Sequence, residues 1–336
     1  MIITQTPFRM SFFGGGTDFP DFYREHGGAV ISTTFDKYCY ITVRHLPPFF
    51  DYRSELVYAK TERVTEVDEI RHPAIREAMR WLDMHELRVT YDADLPARTG
   101  LGTSSSFAVG LLSAFYALKG KQPGRRQLAD DAIHLERVLC AEDGGVQDQI
   151  AVAFGGLNRI DFDASGYRVT PIELPGERLT ALNDNLMLFF TGFSRSSPEI
   201  QTAHQGALKS QAARLLEMKA LTSEAERVLR GGSLDDFGRL LDETWRLKRG
   251  VTSRISTDTI DTLYARATRA GALGGKLLGA GGGGFLIFYA EKDKQAAVRR
   301  ALSGLMEVPF RFESGGTRIL YNVPETYTRQ CTEEEA

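Results

Sequence analysis

The chain predicts an α+β fold in two domains, on three observations. It has 336 residues, a length that suits two hydrophobic cores better than one. Strand-like and helix-like segments follow one another in mixed order through both halves, with no internal repeat. Around 175–185 the stretch LPGERLTALND interrupts the pattern and marks a boundary. The expected division is therefore an N-terminal domain over 1–180 and a C-terminal domain over 181–336.

The elements follow from local chemistry. IITQTPFRMSFFGGG reads as a strand running into a glycine turn. DFPDFYREHGG carries helix punctuation, with Pro20 in its first turn and Gly27 and Gly28 past its end. AVISTTFDKYCYITVRHL is rich in β-branched and aromatic residues and reads as one or two strands. HPAIREAMRWLD is a helix opened by Pro73, and LRVTYDADLPA a strand. Next come the loop RTGLGTSSSFAVG and an apolar helix, GLLSAFYAL. RRQLADDAIHLERVLCAE places Leu128, Ala132, Leu135 and Leu139 on one helical face. FGGLNRIDFDASGYRVTPIEL suggests a hairpin. The second half opens with the strand NLMLFFTG and a long helical stretch over 198–229. Helices around 234–248 and 257–270 follow, then GGKLLGAGGGGFLIFYA, a helix near 293–306, and the late strands PFRFE and TRILYN.

Bulk properties exclude several classes of function. Forty-one basic residues against 44 acidic ones give a net charge of −3. No global basic field recruits nucleic acid or an anionic membrane. The short cluster RLKRG at 246–250 reads as a solvated helix face. Three scattered cysteines, Cys39, Cys140 and Cys331, form no CxxC pair, and the six histidines form no HExxH. Both facts argue against structural zinc or a disulfide framework. MIITQTPFRM has no apolar segment of the signal-peptide type, and the longest nearly apolar stretch, 107–118, is too short to span a bilayer. The expectation is a reduced, cytoplasmic, soluble protein, its oligomeric state open.

Three glycine clusters invite a nucleotide reading. GAGGGG at 279–284 satisfies GxGxxG, but strand-like FLIFYA follows where a dinucleotide site needs a helix. No GxxxxGK[ST] is present. GLGTSSS at 100–106 does precede a convincing helix, whose free N–H groups and dipole suit a polyphosphate. Its hydroxyls suit Mg²⁺, a hard cation that takes oxygen ligands. The same composition also serves a loop that merely caps a core helix. In FFGGGTDFP the glycines allow a ligand close to the backbone. There Asp18 either receives sugar hydroxyls or caps the helix beginning at Phe19 or Pro20.

Taken together, PFRMSFFGGGTDFP (7–20), LPARTGLGTSSSFAVG (95–110) and KLLGAGGGGFLIF (276–288) resemble, in order and position, the three motifs of the GHMP small-molecule kinases. That superfamily is named for galactokinase, homoserine kinase, mevalonate kinase and phosphomevalonate kinase. The resemblance covers nearly the whole chain. It implies a two-domain GHMP kinase fold, with an N-terminal domain like domain 2 of ribosomal protein S5 and a ferredoxin-like α+β C-terminal domain. It also implies ATP as donor and Mg²⁺ as metal.

Roles carry over position by position. Gly100, Leu101, Gly102, Thr103, Ser104, Ser105 and Ser106 would wrap the ATP phosphates, with Thr103 standing where serine is usual. Ser104 and Glu136 match the Mg²⁺ ligands, Glu136 sitting at the shoulder of its helix. Asp148 matches the catalytic aspartate, and Arg9 the cation beside it. A helix N-terminal aspartate held by the macrodipole is the plainer reading of Asp148. Gly15, Gly16, Thr17 and Asp18 would border the acceptor, as would Gly282 and Gly283. The third motif as a whole would pack its backbone against the phosphate loop. Arg195 in TGFSRSSPEI would pair with a phosphate on the acceptor, or stand as an ordinary surface arginine.

The GGGTD turn and the chain length resemble the D-glycero-D-manno-heptose 7-phosphate kinases. Galactokinases carry a Glu-His pair where Gly15 and Gly16 stand, which argues against galactose. The implied reaction phosphorylates the anomeric C1 hydroxyl of the heptose 7-phosphate to give the 1,7-bisphosphate. Two alternatives stay open: a kinase of an unphosphorylated sugar such as L-fucose, and a non-catalytic sugar and ATP sensor. The sensor predicts loss of a metal ligand or the base, whereas Ser104, Glu136 and Asp148 are all present.

Overall fold

The computed structural model describes residues 1–192, 211–252 and 255–323. Two antiparallel strands, β1 (Ile2–Phe13) and β2 (Gly28–His45), form the spine of a nine-stranded sheet. β2 is one continuous strand of 18 residues, not two. On one edge its second part pairs with β5 (Leu87–Ala93) and its first part with β6 (Asn158–Asp163). Beyond β5 lie β3 (Ser54–Val57), parallel to it, and β4 (Thr61–Val64). β6 continues into β7 (Gly166–Pro171) as the expected hairpin. Two short helices, α1 (Pro20–His26) and α2 (Pro73–Trp81), form where Pro20 and Pro73 open them.

Across this sheet lies α3 (Thr103–Leu118), buried on nearly every side, as an all-round apolar sequence requires. Thr4 donates its hydroxyl to the Gly110 carbonyl at 3.0 Å and ties α3 to β1. The following helix, α4 (Arg125–His134), is shorter than its pattern suggests. A π turn, Leu135–Leu139, replaces its end and is closed by the Cys140 amide on the Leu135 carbonyl at 2.9 Å. Leu128, Ala132 and Leu135 are buried as expected, while Leu139 is only half-buried. α5 (Gln147–Phe154) then returns the chain to β6.

LPGERLTALND proves to be mostly helix, α6 (Gly176–Asp184), rather than an open linker. It leads into a second, antiparallel sheet of four strands: β11 (Met306–Glu307), β8 (Leu186–Phe190), β10 (Phe285–Tyr289) and β9 (Gly274–Leu277). The described part of the long helical stretch is α7 (Ala212–Gly231), and 198–210 lie outside the described residues. α8 (Leu234–Arg249), α9 (Asp258–Arg269) and α10 (Lys292–Ala301) complete this half.

The chain recrosses the division expected at 180. β12 (Phe312–Glu313) pairs with β2, and β13 (Arg318–Asn322) with β1. Phe237 of α8 meets Phe12 and Phe13 edge-on, with ring centroids 5.3 and 5.2 Å apart. Each such contact adds about 0.5–1.5 kcal/mol beyond area burial, and together they fix the second half against the end of β1. Among the described residues no helix is long and apolar enough to cross a membrane.

Candidate active site

The end of β1, the glycine turn after it, the starts of α3 and α5, the π turn, α8 and the loop after β9 converge on one cleft. At its floor the Arg9 guanidinium, 5% exposed, grips Asp148 in a two-pronged pair. Nε donates to Oδ1 at 2.7 Å and Nη2 to Oδ2 at 2.6 Å. Its third nitrogen, Nη1, donates to the Gly100 carbonyl at 2.6 Å. Parallel charge-assisted bonds fix a carboxylate in direction as well as position. Asp148 is also the second residue of α5, so its carboxylate lies at the positive end of that helix.

α3 begins behind Gly102, which is left-handed at φ 74°. Its first-turn amides have no acceptor inside the helix. Ser104 is exposed to the cleft, and its hydroxyl donates to Glu136 Oε1 at 2.6 Å. Ser105 donates to Oε2 at 2.8 Å, and the Gln149 amide donates to the same oxygen. Glu136 belongs to the π turn, a device that recurs at functional sites. It is buried at 3% exposure rather than perched on a helix shoulder. Burial pushes its carboxyl up to about 7, against the pull of these three donors.

The two glycine-rich loops meet backbone to backbone. A Cβ on Gly279 (φ 77°) would lie 2.2 Å from the Gly100 Cα, and one on Gly100 would lie 2.3 Å from the Leu278 carbonyl oxygen. Only glycine admits that approach. The second half of the chain thus braces the loop that opens α3.

Several expected site residues take other places. Leu101 is fully buried in the core. Thr103 Oγ1 accepts the Arg98 amide at 3.2 Å, and the Ser106 hydroxyl donates to the Pro7 carbonyl at 3.0 Å. In 100–106, only the Ser104 and Ser105 side chains border the cleft. Gly15 and Gly16 border it too, but Thr17 does not. The buried Thr17 hydroxyl donates towards the Gly14 and Ala29 carbonyls and accepts the Ala29 amide at 3.1 Å, which locks the glycine turn onto β2.

Asp18 lines the cleft and is no cap for α1, whose N-cap is Phe19. Its two oxygens instead accept the Gly16 amide at 3.0 Å and the Gln147 amide at 3.1 Å. Burial, with the nearby charge of Asp148, pushes its carboxyl up. Gly282 and Gly283 are buried outside the cleft lining, and the Gly282 amide donates to the Ile255 carbonyl. Gly279 and Ala280 border the cleft instead. Arg195 lies outside the described residues.

Sequence reading missed two lysines. RLKRG is not a uniformly solvated face, because Lys248 is 5% exposed and lines the cleft. The signal was its place in the stripe Leu241, Thr244, Trp245 and Lys248, the spacing of one buried helical face. Lys248 donates to the Gly279 carbonyl, and burial next to Arg9 pushes its ammonium down to about 8. Lys276 on β9 is 2% exposed and donates to the Ser11 and Phe12 carbonyls, each at 2.9 Å. Burial, with Lys248 and Arg9 close by, holds it well below the ordinary lysine range.

A helix start, an arginine-held aspartate and a serine–glutamate pair thus share one cleft. The N-terminal and C-terminal domain models of the GHMP kinases match residues 69–156 and 219–308, and the chain belongs to that family of ATP-using small-molecule kinases. A D-glycero-alpha-D-manno-heptose 7-phosphate kinase of Campylobacter jejuni is 28% identical over 317 residues, covering 90% of this chain and 93% of its own. An L-fucokinase/L-fucose-1-P guanylyltransferase of Bacteroides fragilis is 31% identical over 63% of this chain, which spans 23% of that protein. The fold matches that of a D-glycero-D-manno-heptose 1-phosphate kinase from Bacteriodes thetaiotaomicron, with a TM-score of 0.77 at 24% identity, over 96% of this chain and 99% of the other.

Proposed function

We propose that this protein transfers phosphate from ATP to the anomeric hydroxyl of D-glycero-D-manno-heptose 7-phosphate. The observation that carries the reading is the Arg9–Asp148 pair, tied through Arg9 to the Gly100 carbonyl just before α3 and lining the same cleft. The sugar assignment is supported by the likeness to the Campylobacter jejuni kinase along nearly the whole chain. It is supported also by Gly15 and Gly16, which leave the cleft wall without side chains where a longer sugar would lie.

The free amides of α3 receive phosphate oxygens. Asp148 accepts the hydrogen bond of the acceptor hydroxyl and takes its proton as the new bond forms. Asp18 orders the glycine turn against α5 and so shapes the sugar's side of the cleft. The residues at the metal position fit a hard cation. Ser104 and Glu136 offer oxygen donors, and among the described residues the buried Glu136 carboxylate is paired with no lysine or arginine and the neighbouring Gln149 Oε1 has no hydrogen-bond partner. Bound there, Mg²⁺ neutralises charge on the phosphates.

Initial rates of ADP release should favour the heptose 7-phosphate over the free heptose and L-fucose, with the 1,7-bisphosphate as product. Equal efficiency with free sugars refutes the phosphate requirement. Preference for L-fucose makes the protein a fucokinase, and no ADP release with any sugar makes it a sensor.

Glu136→Gln should raise the Mg²⁺ needed for half-maximal activity by at least ~10-fold, the lower range for losing even an outer partner of a metal site. Its carboxyl is raised in the folded protein, so between the ordinary carboxylate pKa and about 7 the native state holds a proton the unfolded state has lost. Metal-free stability therefore falls as pH climbs through that window. Melting curves at pH 5 and pH 8 should show the fall in wild type and its loss in the variant. Parallel curves would refute the assignment of that fall to Glu136.

A further inference from the structure

The cleft holds more cationic groups than the Arg9–Asp148 pair requires. Arg137 donates to the Glu142 carbonyl at 2.6 Å. Lys276 is committed to two carbonyls of β1. Arg9 has all three guanidinium nitrogens engaged, two with Asp148 and one with Gly100. Lys248 stands apart. Its ammonium has three donors, and among the described residues its one hydrogen bond goes to the carbonyl of Gly279. That glycine is the one resting on Gly100, so Lys248 is anchored to the brace of the phosphate loop.

The charged groups facing Lys248 come from four elements: Arg9 on β1, Asp18 after the glycine turn, Asp148 on α5, and Lys276 on β9. Asp148 is already neutralised by Arg9, and Asp18 is occupied by two backbone amides. A buried ammonium with one carbonyl partner and an arginine beside it is costly to hold. An anion arriving in the cleft would remove that cost.

We propose that Lys248 is a catalytic residue whose ammonium takes up the charge of the phosphoryl group in transit between nucleotide and acceptor. The assignment rests on the phosphotransferase reading of this cleft and deepens it. In the step concerned, the bond from the γ-phosphorus to the β–γ bridging oxygen breaks and that electron pair leaves with ADP. The acceptor oxygen bonds to the phosphorus, and its proton passes to Asp148. The equatorial phosphoryl oxygens pass between the phosphate loop and Asp148, where Lys248 has donors to give. With its ammonium pushed down to about 8, Lys248 is charged at neutral pH and loses that charge as the medium turns alkaline.

The test is Lys248→Met, which keeps the length of the buried stem without charge. Turnover should fall by roughly 10²–10³, the cost of deleting one preorganised donor to a transition state. Equilibrium titration with ATP should show nearly unchanged affinity, because the contact belongs to the transferring group. Titration with ADP plus aluminium fluoride, without sugar, should show wild type binding more tightly than to ADP alone, and the variant losing that gain. Lys248→Arg, which keeps the charge, should recover part of it.

Wild-type turnover should decline above about pH 8, and Lys248→Arg, which stays charged, should lack that decline, a readout that stands even if Lys248→Met fails to fold. Full turnover in the variant overturns the proposal. So does an equal loss of ATP affinity and turnover, a gain retained in the variant, or no gain and no alkaline decline in wild type. The aluminium fluoride measurement contains no sugar, so it decides the role of Lys248 even where the sugar assignment is wrong.

Discussion

Asp148→Asn should lower turnover by roughly two to four orders of magnitude, the range for a positioned acid–base group, while ATP affinity should stay close to wild type. Asparagine keeps the shape of the side chain but not its pairing. Arg9 presents Nε and Nη2 as two parallel donors, and both carboxylate oxygens receive them. The amide offers one acceptor and turns an N–H towards the other donor. Arg9 is 5% exposed, so a donor is left buried without a partner at a cost of about 1–3 kcal/mol. Two measurements separate the effects: melting temperature reads the lost pair, and turnover at saturating substrates reads the lost proton acceptor. Nucleotide binding should move little, because the substitution leaves in place the amides of α3 and the Arg9 bond to the Gly100 carbonyl. A variant that turns over at the wild-type rate removes Asp148 from the chemistry.

What could be read from the sequence was the chemistry that glycine and hydroxyl residues announce locally. A helix start that must present amides needs a left-handed residue and small neighbours, and GLGTSSS states this in seven letters. The Arg9–Asp148 pair was legible only through the resemblance, because 139 residues separate its members. Thr17 and Lys248 misled for a physical reason. Each residue type fits an exposed role, and its burial depends on an element packed from elsewhere in the chain. Thr17 is sealed by Ala29 of β2, and Lys248 by the docking of α8 beside the loop after β9. The π turn at Glu136 left no mark in the apolar spacing, since one extra residue in a single turn shifts the face only past Leu135. The return of β12 and β13 to the first sheet is a non-local pairing, and no local pattern encodes which sheet a late strand joins.

Gly279→Ala should reach the active site without removing any group that does chemistry there. The new methyl would sit 2.2 Å from the Gly100 Cα, a backbone atom with no rotamer by which to yield. Gly279 also has φ 77°, where an L side chain adds about 1–2 kcal/mol of strain. Forcing a methyl into a packed contact typically costs a further 1–3 kcal/mol, so melting should report a loss of about 2–5 kcal/mol. Part of that strain is relieved by moving 100–102, and the loop carries its motion to the Arg9 guanidinium, which holds the Gly100 carbonyl at 2.6 Å. It also shifts the Lys248 anchor, since the carbonyl that lysine holds belongs to Gly279 itself. A misplacement of ~1 Å at such a site lowers turnover by about 10²-fold. ATP affinity should fall along with turnover here, unlike in Asp148→Asn, because the amides of α3 move with the loop. Gly304→Ala is the control: its Cβ would meet nothing within 4 Å, and both stability and rate should stay near wild type. If Gly279→Ala loses stability but keeps nucleotide affinity and turnover, the glycine contact holds the two halves together without positioning the phosphate loop.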